Sequence, residues 1–504
     1  MILQLIILAI TAVLFYNYYW KRRNLPPGPP PLPLVGNHHT LESSTHWPDV
    51  FVKWSQQYGR IFTYWMSEMP IIAITDADIV NKVFVKDGDS FTDRFSLGTL
   101  DDMCRGGQYG LIFAGWKYAR DHRRFGLRVF RDFGVGKNQM QENILHEIDT
   151  LLHKIEEERE KSEEFDLFPH TDIAVGSIIN SLLFGYRFTE NNKEAEFTRM
   201  KHHLHEWMTK FSNPIIRIWI ATGFLHKLPI LGKFCMDLVR TYQDIFKDMD
   251  NNIAEHKERL QTEGHTEPRD YVDAYLMEVQ KMEANGEDTS LFSDIQLKNM
   301  AFDFWLAGQE TTSTTITWGI AFLIHNPEVQ MKAHEELDRV IGSDRVITMS
   351  DKNDLPYMNA LVNEVQRCSN LVAENVLRVA SNDYNLNGYE IKKGQICIAQ
   401  ISAMLEDPEY FPEPKSFKPE RFLDAKGQVM KVDALMPFGV GKRSCLGEAL
   451  ARMELFLFMA NLIHLYTFSP STKGMPVLQK WPTAGSTTMH PYTCKVTARE
   501  VKTH

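Results

Sequence analysis

This sequence carries no surplus of positive charge. Lys and Arg number 55 against 65 Asp and Glu, a net charge of −10, which argues against a nucleic-acid binder with its usual basic excess. Cysteine is scarce: six residues, at positions 104, 235, 368, 397, 445 and 494, with no C-x-x-C pair. That scatter is poor material for a zinc ribbon or a disulfide framework and suits a reducing compartment. Phosphate loops are missing too. Residues 134–137 and 439–442 both read GVGK, yet neither completes G-x-x-x-x-G-K-[ST] or G-x-G-x-x-G. Beyond residue 38 there is no low-complexity tract, fixed-period repeat or linker. One large unit is implied.

What is present begins with ILQLIILAITAVLFYNYYW, residues 2–20, an apolar run without a charge. As a helix it reaches about 28 Å, close to the ~30 Å hydrocarbon core of a bilayer. Tyr16, Tyr18, Tyr19 and Trp20 form an aromatic end, followed at once by Lys21, Arg22 and Arg23. Interfacial aromatics and a cytosolic basic cluster predict a membrane anchor with the body facing the cytosol. A cleaved signal peptide would need a basic start and a small-x-small cleavage site, and both are lacking. Next comes LPPGPPPLPLVGN, residues 25–37, with prolines at 26, 27, 29, 30 and 31. These cannot continue a helix and predict a polyproline II spacer, the competing reading being an SH3-type ligand. The organisation is therefore an anchor over 1–20, a basic and proline-rich hinge over 21–37 and one globular domain over 38–504.

The body reads as mainly α with a minor sheet. Apolar residues at three- and four-residue spacing predict helices over 137–160, 165–185, 236–262, 294–325 and 328–341. Alternation predicts a hairpin over 60–65 and 70–75, and further strands around Asn387-Gly388 in residues 385–400. The helix over 294–325, with Ser293 to cap it and Asn326-Pro327 to stop it, would span roughly 48 Å. In its middle lies LAGQETTSTT, residues 306–315. Gly there costs about 1 kcal/mol relative to Ala. Either the helix kinks and its hydroxyls bond back to carbonyls, or it opens to admit something small beside Glu310 and Thr311.

Cys445 sits in MPFGVGKRSCLGEALARMELFLF, between a glycine-rich turn and an apolar helix. A structural thiol, a nucleophile and a metal ligand all compete. No histidine lies in this segment to activate a nucleophile. Residues 438–447 match F-x-x-G-x-R-x-C-x-G at all five specified positions, a chance event on the order of 10⁻⁴ at average residue usage. This motif, with others along the body, resembles the cytochrome P-450 family, specifically the animal microsomal members that oxidise drugs and lipids.

The resemblance covers residues 20–504 and implies the cytochrome P-450 fold. It implies haem b with Cys445 as axial thiolate, the metal ligand, within a loop that begins at Phe438. Amides at the following helix N-terminus and Arg443 would favour negative charge on the sulfur. Propionate partners would be Arg105, Arg378, Arg443 and the W-x-x-x-R pair Trp116 and Arg120, while Arg123 and Arg128 belong to a solvated face. Ala307 and Gly308 would leave room beside the iron, with Thr311 and Glu310 delivering protons and Gln309 doing little. Glu364 and Arg367 of E-x-x-R, with Arg421 of PERF, would form a structural charge network. Ala373 departs from the family's usual proline, which bears on Arg378.

The activity implied is insertion of one atom of dioxygen into a lipophilic xenobiotic, fatty acid or steroid-like molecule. Electrons would come from an NADPH-dependent reductase, with cytochrome b5 as a further partner, at the endoplasmic reticulum membrane. The same scaffold also suits an isomerase or dehydratase of lipid peroxides, or a haem carrier. His202, His203 and His205 read as a polar helix face, and residues 213–231 as a membrane-dipping lid.

Overall fold

The computed structural model describes residues 1–500 apart from 45, 191, 265, 373, 480, 484 and 485. The helices are α1 (Ile2–Tyr18), α2 (His38–Glu42), α3 (Trp47–Tyr58), α4 (Ala77–Asn81), α5 (Thr99–Arg105), α6 (Trp116–Asp132) and α7 (Asn138–Lys161). They continue with α8 (Phe168–Phe184), α9 (Glu194–Phe211), α10 (Pro214–Thr222), α11 (Leu231–Glu263), α12 (Tyr271–Ala284) and α13 (Asp294–His325). The last four are α14 (Pro327–Val340), α15 (Pro356–Ser369), α16 (Ile401–Met404) and α17 (Glu448–Leu465).

The strands are short. β1 (Ile61–Met66) and β2 (Met69–Ile74) form the predicted hairpin, with Ile61 opposite Ile74. β3 (Asp93–Arg94), β5 (Arg378–Val379) and β8 (Ile396–Ala399) join it in the order β1-β2-β8-β5-β3, only β2 and β8 being parallel. β4 (Glu164–Phe165), β9 (Tyr466–Pro470) and β12 (Cys494–Ala498) make a second sheet. β6 (Tyr384–Leu386) pairs with β7 (Tyr389–Ile391), and β10 (Trp481–Thr483) with β11 (Ser486–Thr488). Asn387 and Gly388 both take positive φ, 50° and 95°, which a two-residue hairpin loop requires.

α13 is the axle of the molecule. Ser293 caps it by accepting from Gln296 N–H, and it ends before Pro327. It is buried almost throughout, Trp305 and Trp318 included, each such side chain contributing about 1.5–3 kcal/mol. α8 lies against it at Gly308, where a Cβ would come within 2.8 Å of Ile179. On another side Gly319 faces Met459 of α17 at 2.7 Å by the same measure. Both glycines allow close helix–helix approach. The helix is continuous through residues 306–315, and Thr311, Ser313, Thr315 and Thr317 each donate to the carbonyl four residues earlier.

α1 is exposed along its length except at Asn17, and its apolar stretch is long enough to cross a bilayer. The proline segment does not stand free as a spacer. Thr63 N–H donates to Pro27 O, Asn37 N–H to Trp65 O, and a Cβ on Gly28 would lie 1.8 Å from Thr63 O. Asn17 reaches Pro31 O at 2.6 Å, so this segment is laid along β1. The segment read as a lid, residues 213–231, carries a helix in its first half. Asn213 caps α10 and Gly223, at φ 75°, ends it.

Candidate functional site

The loop over residues 438–447 is shaped by glycine. Gly439 and Gly441 adopt φ of 67° and 72°, and a Cβ on Gly441 would sit 1.8 Å from Phe84 O. The turn Gly441–Arg443 brings Cys445 N–H back to Phe438 O at 2.8 Å. Gly447 caps α17 and directs its N–H at the thiol. Cys445 has open surface, unlike Cys104, Cys235, Cys397 and Cys494, yet protein closely surrounds it. That enclosure pushes the thiol pKa up, opposed by Gly447 N–H and Arg123. The surroundings alone do not ionise it; a metal would, since a coordinated thiol is deprotonated.

Beside Cys445, separate stretches of chain bring four arginines together. Arg94 donates to Ile112 O (3.1 Å) and Val376 O (2.8 Å). Arg443 donates to Thr92 O, Leu111 O and Ala114 O and lies 5.3 Å over the Trp116 ring. Arg378 donates to Val440 O at 2.6 Å and stacks on Phe84. Arg123 donates to Ser444 O at 2.8 Å. Every one of these partners is a backbone carbonyl. Burial, then repulsion by Arg123 and Arg378, brings Arg443 down to about 9. Burial and Arg123 bring Arg378 to about 10. Burial and the other three hold Arg94 well below its usual range, and burial lowers Arg123. The one carboxylate felt by Arg443 is Asp93, which accepts from Trp116 N–H. A buried cluster of cations without matching anions is costly unless a ligand supplies the charge. The two carboxylates of haem b, set beside an anionic sulfur, fit it.

Four sequence expectations change here. Arg120 stays outside the cluster, exposed and bonded to Asp121 at 2.9 and 3.1 Å. Arg123, expected on the solvated face, is the residue that enters. Arg105 is buried in a 2.8 Å pair with Asp303, whose other oxygen accepts Leu111 N–H and Ile112 N–H. It is neutralised there, tying α5 to α13. Arg443 turns to carbonyls, leaving Arg123 as the cation felt by the sulfur. Trp116 adjoins the cluster through Arg443. No motif in the sequence points to Arg94. For Arg123 a signal existed: it falls on the stripe of buried Ala119, Gly126 and Phe130, whereas Arg120 falls on the exposed one.

α6 joins this loop to α13, because a Cβ on Gly126 would meet Phe304 at 3.2 Å and Leu446 at 3.7 Å. Further along α13, Ala307 is exposed and Thr311 half-buried, a short open strip on an otherwise buried helix. Thr311 donates to Ala307 O at 2.7 Å. Gly308 does not share the strip; it packs on α8. Glu310 pairs with Lys201 of α9 at 2.6 Å. Lys201 also reaches Asp172 of α8 (3.1 Å) and Gln309 (3.0 Å), and Gln309 donates to Asp172. Gln309 is thus a buried member of a network rather than a bystander. Burial works against the Lys201 charge, but Asp172 and Glu310 hold its pKa above the ordinary value.

The E-x-x-R network closes as its spacing implies. Arg367 donates to both oxygens of Glu364 (2.7 and 2.8 Å), and Arg421 donates to Glu364 at 3.1 Å. Arg367 also reaches Leu405 O, Pro414 O and Ser416 O, clamping the chain ahead of the cysteine loop. Ala373 lies outside the described residues. His202 and His205 are exposed, and His203 faces Asp248 at 3.6 Å, which is the polar helix face expected.

Comparison with known proteins agrees with this geometry. A model of the family "Cytochrome P450" matches residues 26–498. The chain is 33% identical over 474 residues to Cytochrome P450 2A10 of Oryctolagus cuniculus, covering 92% of each. It is 34% identical over 466 residues to Probable cytochrome P450 CYP36A1 of Caenorhabditis elegans, covering 91% of this chain and 92% of that one. To Cytochrome P450 2D20 of Mesocricetus auratus it is 33% identical over 474 residues, covering 92% of each.

Proposed function

The chain belongs to the cytochrome P450 family, and on that premise we propose that it is a membrane-anchored monooxygenase of lipophilic small molecules whose haem is held by Cys445 and the Arg94–Arg123–Arg378–Arg443 cluster. As a family member it is a haem-thiolate oxidoreductase. When bound, haem b with its axial thiolate supplies dioxygen activation and oxygen-atom transfer.

The chain's own residues do the rest. Cys445 presents its sulfur from a loop that glycine and the Phe438 carbonyl hold in one shape. The four arginines offer the charge that two carboxylates need, and the carbonyls behind them fix each guanidinium. Ala307 and Thr311 line the open strip on α13, where the Thr311 hydroxyl can pass a proton once it leaves the Ala307 carbonyl. Glu310 is the nearest acid in sequence, and Lys201 holds it. Glu364, Arg367 and Arg421 have an architectural role.

Lipophilic substrates would arrive past α10 and the start of α11, where Phe224, Leu228, Ile230 and Phe234 are exposed. With α1 as anchor, that face lies at the bilayer of the endoplasmic reticulum and the body in the cytosol. Electrons would come from an NADPH-dependent reductase, with cytochrome b5 as a second donor. The observation that carries this reading is the accessible thiol beside arginines that carbonyls alone satisfy.

The test is the reduced, carbon monoxide-treated spectrum of the purified protein. Cys445→Ala should abolish the red-shifted Soret band of thiolate ligation. Thr311→Ala should keep that band but divert NADPH-derived electrons to peroxide. A wild-type protein loaded with haem but lacking the band would refute the assignment. Removal of residues 2–20 should weaken membrane retention, and protease added to sealed microsomes should digest the body.

A further inference from the structure

Near the cysteine loop lies a polar groove that none of the residues of the open strip on α13 lines. Lys352, Asn353, Pro356, Asn359, Asn363, Gln428, Arg452 and Phe456 line most of a cavity of about 500 Å³. Asn363, Val429 and Arg452 continue into a second hollow of about 690 Å³ that reaches Phe438 and Val440. The first cavity has two cations and four carboxamides in its wall and no carboxylate. Lys352 lies 5.5 Å from the Phe456 ring centre, and among the described residues it has no acidic partner within ion-pair distance. Burial, then repulsion by Arg452, pulls its pKa down. Arg452 has one anionic neighbour, Glu448, at 2.9 Å. Two cations in the wall of one amide-lined cavity suit a doubly charged oxyanion, which the N–H groups of Asn353, Asn363 and Gln428 can also bind, those of Asn359 being given to Lys352 O and Leu355 O.

The groove is connected to the cysteine. Arg452 stacks 4.7 Å over the Phe438 ring, and Phe438 O holds Cys445 N–H. An anion that draws Arg452 toward Lys352 would loosen that stack and alter the support behind the sulfur.

We propose that this groove is a binding site for a phosphate-type oxyanion, held by Lys352 and Arg452, whose occupancy is felt at the Cys445 loop through Phe438. The inference rests on the geometry of the groove; only the effect at the loop rests on the haem-thiolate reading. The two parts are separable by experiment.

Binding is measured by calorimetry on the haem-loaded full chain, titrated with inorganic phosphate and with pyrophosphate at constant ionic strength set by chloride. Saturable binding is expected, at least about tenfold weaker in Lys352→Met (about 1.4 kcal/mol) and unchanged in Lys473→Met. Asn363→Leu supplies a second, uncharged lesion should Lys352→Met fold poorly, and it should also weaken binding. The loop effect is read as a phosphate-dependent shift of the Soret band that both lesions remove. No saturable heat with the wild type, or equal affinity in all four proteins, overturns the site. Binding without any spectral shift overturns the coupling to the loop.

Discussion

Two groups of buried arginines serve the cysteine loop, one clamping the chain ahead of it and one bonded to the loop itself, and they are built on opposite plans. Around Glu364, two guanidiniums share one carboxylate and six backbone carbonyl contacts, so the charge is largely closed within the protein. Around Arg443, four guanidiniums meet carbonyls; burial depresses all four, and repulsion from neighbouring arginines adds to it at Arg443, Arg378 and Arg94. A closed network is architecture. An open one marks where something else must bring charge.

The comparison is broken most directly by Arg367→Met. It leaves Glu364 buried with Arg421 as its remaining cation beside the Lys418 N–H, and should cost about 3–5 kcal/mol, seen as loss of folded, haem-retaining protein in thermal melts. Arg378→Met should do the reverse in the haem-free protein. Removing one of four repelling cations leaves its melting temperature unchanged or raised, while haem dissociates about tenfold faster for the loss of one charge-assisted contact. If both variants destabilise the haem-free protein alike, the contrast is false. Lys201→Met probes a network that is closed yet borders the open strip. It should lower product formed per NADPH by about threefold, ~0.7 kcal/mol, with peroxide making up the difference.

The smallest effect belongs to Glu454 of α17, an acid that burial pushes up to about 8 with the Thr312 hydroxyl opposing. A carboxyl raised in the folded state stays neutral there while its unfolded counterpart ionises. Its contribution is therefore present below about pH 4.5 and is lost as pH rises toward about 8. Glu454→Gln should flatten that decline, narrowing the difference in Tm between about pH 5 and about pH 8 by ~2 °C.

Much of this was legible where the physics is local. The cap at Ser293, the stop at Pro327 and the turn at Asn387-Gly388 place their elements almost to the residue. Glu364 and Arg367, three apart on one helix, pair as their spacing implies. What stayed hidden arises from packing between distant segments. Arg94, Arg123, Arg378 and Arg443 meet only when β3, α6, β5 and the cysteine loop converge, and a W-x-x-x-R spacing selected the exposed Arg120 instead. Lys201 lies on α9, and nothing near Glu310 in sequence announces it. The role of Gly308 was misplaced because a missing side chain can serve a ligand or a neighbouring helix, and only Ile179 decides which.

The contact between Gly441 and the carbonyl of Phe84 sets a rule for anyone diversifying this enzyme. A library randomising residues 438–447 would lose most of its members at that single position, because even alanine must displace main chain. Lys442, whose ammonium reaches outward to Asp89, is a site where substitutions can accumulate at little penalty. Mutational tolerance should therefore change abruptly between adjacent codons, and a deep mutational scan would display that step.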